Sequence, residues 1–327
     1  MHPQDPSRPT VIIGGGGFIG RRLAPALLAA GATVEVYTRD RPFVGRAGLA
    51  APVRAADVVF YLATSINLAV AEQHPQWAAD DHRRFAALLA ALGGVDRPPA
   101  VVLASSGGTV YDPLAPPPYT EQSPLRHSSL YAAAKIALEE ELQEAAAAVP
   151  GVILRLSNVY GPGQRPRKGQ GVLAYWLQAV AGNAALRVMG DPANTLDYVY
   201  IDDVVSCLCL VREAQRQRAF RPGTPPLILN IGSGEGTSLT RLVEVVTTVV
   251  GRELPVERQS VAPGASRPHV WLDCGQAALE LGWRARTPLE HGVRAMWREV
   301  SGAPPDPGTP TGRLALASVA PAPGTLG

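Results

Sequence analysis

The sequence predicts an α/β fold: a doubly wound parallel sheet followed by a smaller α+β portion. Short apolar runs alternate with helical stretches through the first half. Several of those runs are apolar on both faces, as strands covered by helices on two sides must be. A run of glycines also directly follows the first apolar run, where a strand would turn into a helix.

In order along the chain, residues 10–13 read as a buried strand and residues 18–30 as a helix closed by Gly31, with Pro25 kinking it. Residues 33–38 form the second strand and 58–63 a third. A helix over 78–92 leads to a strand over 100–105. A Pro-rich loop, an alanine-rich helix over 129–148 and a strand over 151–156 follow. Beyond Tyr160 the pattern is irregular. Residues 161–171 make a Gly/Pro/basic loop, and Asp202 reads as the N-cap of a helix reaching Arg218. Residues 301–327, rich in Pro, Gly, Ala and Thr, have little to bury and read as a disordered tail.

The 327 residues are 46% hydrophobic and 18% charged, an ordinary globular composition. A net charge of +2, with no basic cluster alternating with aromatics, argues against nucleic acid and anionic membrane as partners. Cys207, Cys209 and Cys274 lack ligand-like spacing with the six histidines, so reduced thiols are expected and a metal site is not. No apolar run reaches spanning length and no signal-peptide core is visible, so the expectation is a soluble cytoplasmic protein.

Gly14-Gly15-Gly16-Gly17-Phe18-Ile19-Gly20 links the first strand to the first helix. Small residues at Gly14, Gly17 and Gly20 let the backbone turn sharply and the helix pack on the strand, so that a pyrophosphate meets free N–H groups. At the end of the second strand, where a carboxylate would select NAD by binding the ribose 2′-OH, stand Thr38 and Arg39. A guanidinium there suits a 2′-phosphate, so NADP is favoured over NAD. The alternative is that Arg39 is a solvated loop charge.

Tyr131 and Lys135 are one helical turn apart, on one face. A free phenol, with a pKa near 10, is a poor base at neutral pH, and bringing it to about 7 takes roughly 4 kcal/mol. A nearby ammonium and an oxidised nicotinamide both favour the phenolate. Tyr131 can then take the proton of a substrate alcohol, while Lys135 holds the nicotinamide ribose.

Together these residues resemble the extended short-chain dehydrogenase/reductase family, that of the NAD-dependent epimerases and dehydratases, UDP-glucose 4-epimerase among them. The resemblance covers about residues 11–299. It rests on the glycine run, Asp57 to Ala63, Ser105-Ser106-Gly107-Gly108-Thr109-Val110-Tyr111, Tyr131-x-x-x-Lys135, Arg155 to Pro162, Thr195 to Asp203, Asn230 to Gly234, and Leu281-Gly282-Trp283. It implies a Rossmann-type NAD(P)-binding domain over 1–160 with a return segment near 195–230. A substrate domain would take 161–194 and 231–300, and the protein would be a homodimer. It also implies that Leu62, Ala63, Ser105 and Val159 line the cofactor. Asn158, Val172 and a strand carrying Leu186, Arg187 and Met189 would face a nucleotide sugar.

Four departures qualify that implication. Residues 38–57 have room for one crossover of about a dozen residues but not for a further strand, so one strand of the family's sheet should be missing. The family's catalytic Ser/Thr falls on Gly107, leaving Thr109 or Ser106 to supply a hydroxyl, or none. The asparagine before the central helix is Asp81, or His82 in a shifted register. The diphosphate-clamping arginines are replaced by Leu196 and by residues 262–265, so that Arg187, Arg267, or Arg165 with Lys168 would have to substitute.

Three readings of function follow. The first is a redox-neutral nucleotide-sugar epimerase or dehydratase. The second is an NADPH ketoreductase of a keto-sugar or another small carbonyl compound, and the third a cofactor-binding sensor or scaffold.

Overall fold

The computed structural model describes residues 8–46, 48–167, 169–260 and 269–303. β1 (Thr10–Ile13) feeds α1 (Phe18–Ala29), which continues through Pro25, and β2 (Val34–Tyr37) returns beside β1. Residues 38–57 then hold a minimal hairpin, β3 (Val44–Gly45) with β4 (Gly48–Leu49), and one turn of helix, α2 (Ala51–Arg54). The chain crosses to β5 (Val58–Tyr61), runs through α3 (Leu68–Gln73) and α4 (Pro75–Gly93), and enters β6 (Ala100–Ser106). α5 (Leu130–Glu144), capped by the Ser129 hydroxyl, leads to β7 (Gly151–Leu156).

The remainder alternates between finishing this sheet and building beside it. β8 (Asn158–Tyr160), α6 (Val172–Ala181), β9 (Leu186–Met189) and β10 (Thr195–Leu196) precede β11 (Tyr198–Tyr200) and α7 (Ile201–Arg216). β12 (Leu227–Ile231) pairs with β7 and completes six parallel strands in the order β12-β7-β6-β5-β1-β2. β13 (Thr237–Ser238), α8 (Leu239–Val250), β14 (Val256–Gln259), β15 (His269–Val270), α9 (Gly275–Leu281) and α10 (Leu289–Ser301) follow. This is the expected doubly wound sheet. It ends on β2 with no further strand from residues 38–57, because hairpin and short helix use up that connection.

Strand alternation sorts the central sheet into two packed faces. Ile12, Phe60 and Val102 point to the layer of α1 and α7, meeting Leu23, Leu27 and Val204. Val11, Val59 and Val101 point to the layer of α4 and α5, meeting Phe85, Leu88 and Leu138. A separate core gathers α6, β9, α8 and α10 around Trp176, Leu186, Val246 and Met296. Cys207 and Cys209 are both buried, and Cys274 is partly so.

The cap of α7 differs from the sequence expectation. α7 begins at Ile201 with Tyr200 at its N-cap, so Asp202 lies inside the first turn. β11 runs straight into the helix with no intervening loop, and the Asp202 carboxylate instead accepts two hydrogen bonds from Arg22 on α1, at 2.5 and 2.8 Å. The tail expected over 301–327 lies, beyond Ala303, outside the described residues. No described helix is long and apolar enough to cross a membrane.

Candidate active site

Strand order reverses between β1 and β5, since β2 lies on one side of β1 and the later strands of that sheet, β5, β6, β7 and β12, on the other. A crevice opens at the carboxyl ends of strands at such a point. Here it widens into a cleft of about 2440 Å³, running from the glycine turn past α5 to β9. The turn is built for close approach. Gly14 has φ +92°, and a Cβ on it would lie 2.6 Å from the Ala63 amide nitrogen. A Cβ on Gly20 would lie 2.6 Å from the Gly15 Cα and 2.7 Å from the Gly14 carbonyl oxygen, so α1 can sit against the turn only because residue 20 is glycine. No side chain caps α1 and no acidic residue occupies its first turn. The N–H groups of Phe18, Ile19 and Gly20 therefore stay available to an anion where these residues line the cleft. This cradle fits a dinucleotide pyrophosphate.

At the middle of the cleft, three successive residues at the end of β6 hold one face of α5. The Ser106 hydroxyl hydrogen-bonds Tyr131. The Ala104 carbonyl accepts from Lys135 Nζ at 3.1 Å, and the Ser105 hydroxyl donates to Glu139. The Lys135 ammonium lies 5.8 Å from the centre of the Tyr131 ring. Burial pushes the Tyr131 phenol up to about 12, opposed by its bond to Ser106. Burial also pulls Lys135 down to about 8, opposed by the carboxylates of Asp81 and Glu139. Without a ligand, then, the phenol is neutral at physiological pH, and it needs added positive charge to ionise.

Comparison with known proteins agrees with this geometry. Residues 10–232 match the family model described as the NAD dependent epimerase/dehydratase family. The chain belongs to that family. A dTDP-6-deoxy-L-talose 4-dehydrogenase (NAD(P)(+)) of Kitasatospora kifunensis is 30% identical, over 90% of this chain and 96% of that protein. A dTDP-4-dehydro-6-deoxyglucose reductase of Escherichia coli is 29% identical over 61% of this chain, which spans 61% of that protein's length. The crystal structure of Thermus thermophilus UDP-glucose 4-epimerase in complex with NAD superposes with a TM-score of 0.72. It is 26% identical, covering 90% of this chain and 99% of that one. The chain is thus an enzyme of the extended short-chain dehydrogenase/reductase type.

Within this epimerase/dehydratase cleft the sequence-derived residues mostly converge. Gly14, Gly17, Thr38, Arg39, Leu62, Ala63, Asn158, Val159 and Val172 all line it. The Asn158 amide group donates to the Asp197 carbonyl at 2.9 Å. Arg187 and Met189 also line it, Arg187 meeting Glu257 of β14 at 3.5 Å. Leu186 does not. It is fully buried in the core of α6 and α8, because alternation along β9 turns Leu186 and Val188 inward and Arg187 and Met189 outward. Ser105 reaches the cleft wall, while its hydroxyl bonds Glu139. Arg267, Lys168 and residues 262–265 lie outside the described residues.

The structure decides two positions left open by the sequence. Asp81 is the α4 residue that faces the site: its buried carboxylate accepts from the Ser65 N–H at 2.6 Å and from the Thr64 hydroxyl at 3.3 Å. His82 turns to Glu141 of α5 at 3.2 Å. Of the candidate hydroxyls, Ser106 contacts Tyr131, whereas the Thr109 hydroxyl is buried at the cleft wall with no hydrogen-bond partner. Gly107 has no room for a side chain, since a Cβ would lie 2.6 Å from Leu272 Cδ1 and 2.9 Å from the Arg155 carbonyl.

Sequence reasoning missed several lining residues, among them Thr64, Trp77, Arg84, Gln164 and Tyr175. Arg84 stands three residues after Asp81 on α4, a helical-face spacing that could have found it. Trp77 carried no such signal: it reaches the cleft because α4 starts three residues earlier than the pattern suggested, at Pro75.

Proposed function

We propose that this enzyme is a redox-neutral nucleotide-sugar epimerase or dehydratase that works through Tyr131 and Lys135. The observation carrying this reading is the placement of the phenol and the ammonium at mid-cleft, between the glycine cradle and the β9 end. The cleft's volume exceeds the few hundred to about 1,000 Å³ of a single small-ligand pocket, leaving space for a second ligand beside a dinucleotide.

In this reading Tyr131 accepts the proton of a sugar hydroxyl and gives it back when the hydroxyl is re-formed. Ser106 steadies the phenol oxygen. Lys135 supplies positive charge and holds the nicotinamide ribose. When bound, the dinucleotide supplies the hydride acceptor. Arg39, which lines the cleft and makes no ion pair among the described residues, favours a 2′-phosphate and hence NADP. Arg41 is already committed, to Glu35 at 2.7 Å and to the Tyr37 ring. Leu196 lines the cleft in place of a family arginine, and Arg165, Arg167 and Arg187 are among the cleft-lining cations available to meet a diphosphate.

A second reading, NADPH-dependent reduction of a keto-sugar or another small carbonyl compound, draws on Arg39 and on Leu196. One assay separates the two. The protein is incubated with UDP-, GDP-, dTDP- and CDP-sugars and with their 4-keto forms, each with and without added NADPH, and products and nicotinamide absorbance are followed together. Conversion with no net cofactor change supports the first reading. Consumption of NADPH in step with product replaces it with the second.

A further inference from the structure

Behind the Tyr131/Lys135 pair lies a buried ion pair that neither reading assigns. Glu139 follows Lys135 by one helical turn, so Tyr131, Lys135 and Glu139 form a single stripe on α5. The Glu139 carboxylate accepts from Arg155 on β7, from Nη2 at 2.7 Å and from Nε at 3.1 Å, with side chains only 1% and 3% exposed. Arg155 Nη1 continues to the Tyr111 hydroxyl at 3.1 Å and to the Glu121 carbonyl at 3.0 Å. Tyr111 in turn donates to Asn230 of β12 at 2.5 Å. One carboxylate thus ties α5 to β6 through Ser105 and to β7 and β12 through Arg155.

A buried ion pair is a poor way to gain stability, because desolvating two charges offsets most of their attraction. This one has a second consequence. The groups facing Lys135 are the Tyr131 ring and Glu139 from its own helix, Asp81 from α4 and the Ala104 carbonyl from β6. Asp81 is held by Ser65 and Thr64, whereas Glu139 is the carboxylate paired with a buried guanidinium, that of Arg155, and bonded by Ser105 as well.

We propose that Glu139 is a positioning residue for the Tyr131/Lys135 pair: it locks the rotation of α5 on the end of β6 and keeps a negative charge one turn behind the Lys135 ammonium. The proposal rests on the reading of Tyr131 and Lys135 given above, but its test needs neither substrate nor cofactor. The chain contains only two lysines, Lys135 and Lys168. Full-length protein labelled with carbon-13 in lysine therefore gives two ε-carbon signals, and Lys168→Arg assigns them.

Wild type should titrate at Lys135 near the value of about 8 that burial sets. Glu139→Gln keeps the shape but loses the charge, and should lower that midpoint by about one pH unit, as removing a close opposite charge does. Glu139→Asp should restore most of the fall. Glu139→Gln/Arg155→Met leaves no guanidinium buried without a partner and keeps the test open if the single variant does not fold; its midpoint should also lie below wild type. A purely structural role predicts a lower melting temperature with the Lys135 midpoint unmoved, and that result overturns the proposal. A sugar-nucleotide assay in which Tyr131→Phe is as active as wild type sinks the earlier reading instead, whatever the lysine titration shows.

Discussion

The Lys135 ammonium stands 5.8 Å from the centre of the Tyr131 ring, one turn along α5. Both side chains are held by the end of β6, the lysine by the Ala104 carbonyl and the phenol by Ser106. That common anchor makes the pair a preset unit rather than two residues that happen to share a helix.

Removing the phenol should remove proton transfer and little else. Tyr131→Phe is expected to lower turnover by about 10²–10⁴-fold, the usual contribution of a positioned acid/base group. Its melting temperature should stay within a degree or two of wild type. Steady-state rates on the sugar nucleotide found by screening, with a thermal melt, check both halves.

The two candidate hydroxyls should separate. Ser106→Ala, which strips the phenol of its neighbour, should cost about 100-fold in turnover, in line with losing one donor at a reacting oxygen. Thr109→Val removes a buried hydroxyl that has no partner, so the melting temperature should hold or rise. Gly107→Ser should restore nothing and should destabilise by about 1–3 kcal/mol, as overpacking does, because the Arg155 carbonyl fills the space.

Cofactor choice should turn on one residue. Arg39→Ala is expected to weaken NADP binding by about 1.5–3 kcal/mol, the value of a charged hydrogen bond, and to leave NAD binding nearly unchanged. Calorimetric titration with both dinucleotides measures the difference directly.

The pH dependence follows from Lys135. Its folded-state pKa is depressed to about 8, so the ammonium that supports the phenolate is present below that pH and is lost as pH rises through it. The alkaline limb of kcat should therefore fall near pH 8, and Glu139→Gln should move it to lower pH. A rate–pH profile of the two proteins provides the check.

Much of this could be read from the chain. Two-sided apolar runs gave the parallel sheet, and the glycines after β1 gave the cradle, because strand and helix periods are local properties. Tyr131 and Lys135 were legible for the same reason. What escaped reading depends on long-range placement. Leu186 was assigned to the wrong side because Leu, Val and Met of β9 are all apolar, and nothing local says which of them faces the cleft. The Glu139–Arg155 pair joins a helix to a strand 16 residues on. Arg155 opens one of the family motifs, but nothing in that motif points to Glu139, and only the packing of α5 across β6 and β7 brings the two together. Asp202 looked like a cap because Asp commonly is one, but β11 enters α7 without the loop a cap requires.

The central claim is that Tyr131 becomes a base only when positive charge arrives beside it. Tyrosinate absorbance, followed against pH as wild type minus Tyr131→Phe, tests this with and without saturating NAD⁺. Without ligand, Tyr131 should give no tyrosinate signal around neutral pH, since burial holds it near 12. With NAD⁺ bound, the signal should appear with a midpoint near neutrality, a change worth about 7 kcal/mol across five pH units. A signal absent at neutral pH in both states would contradict the account.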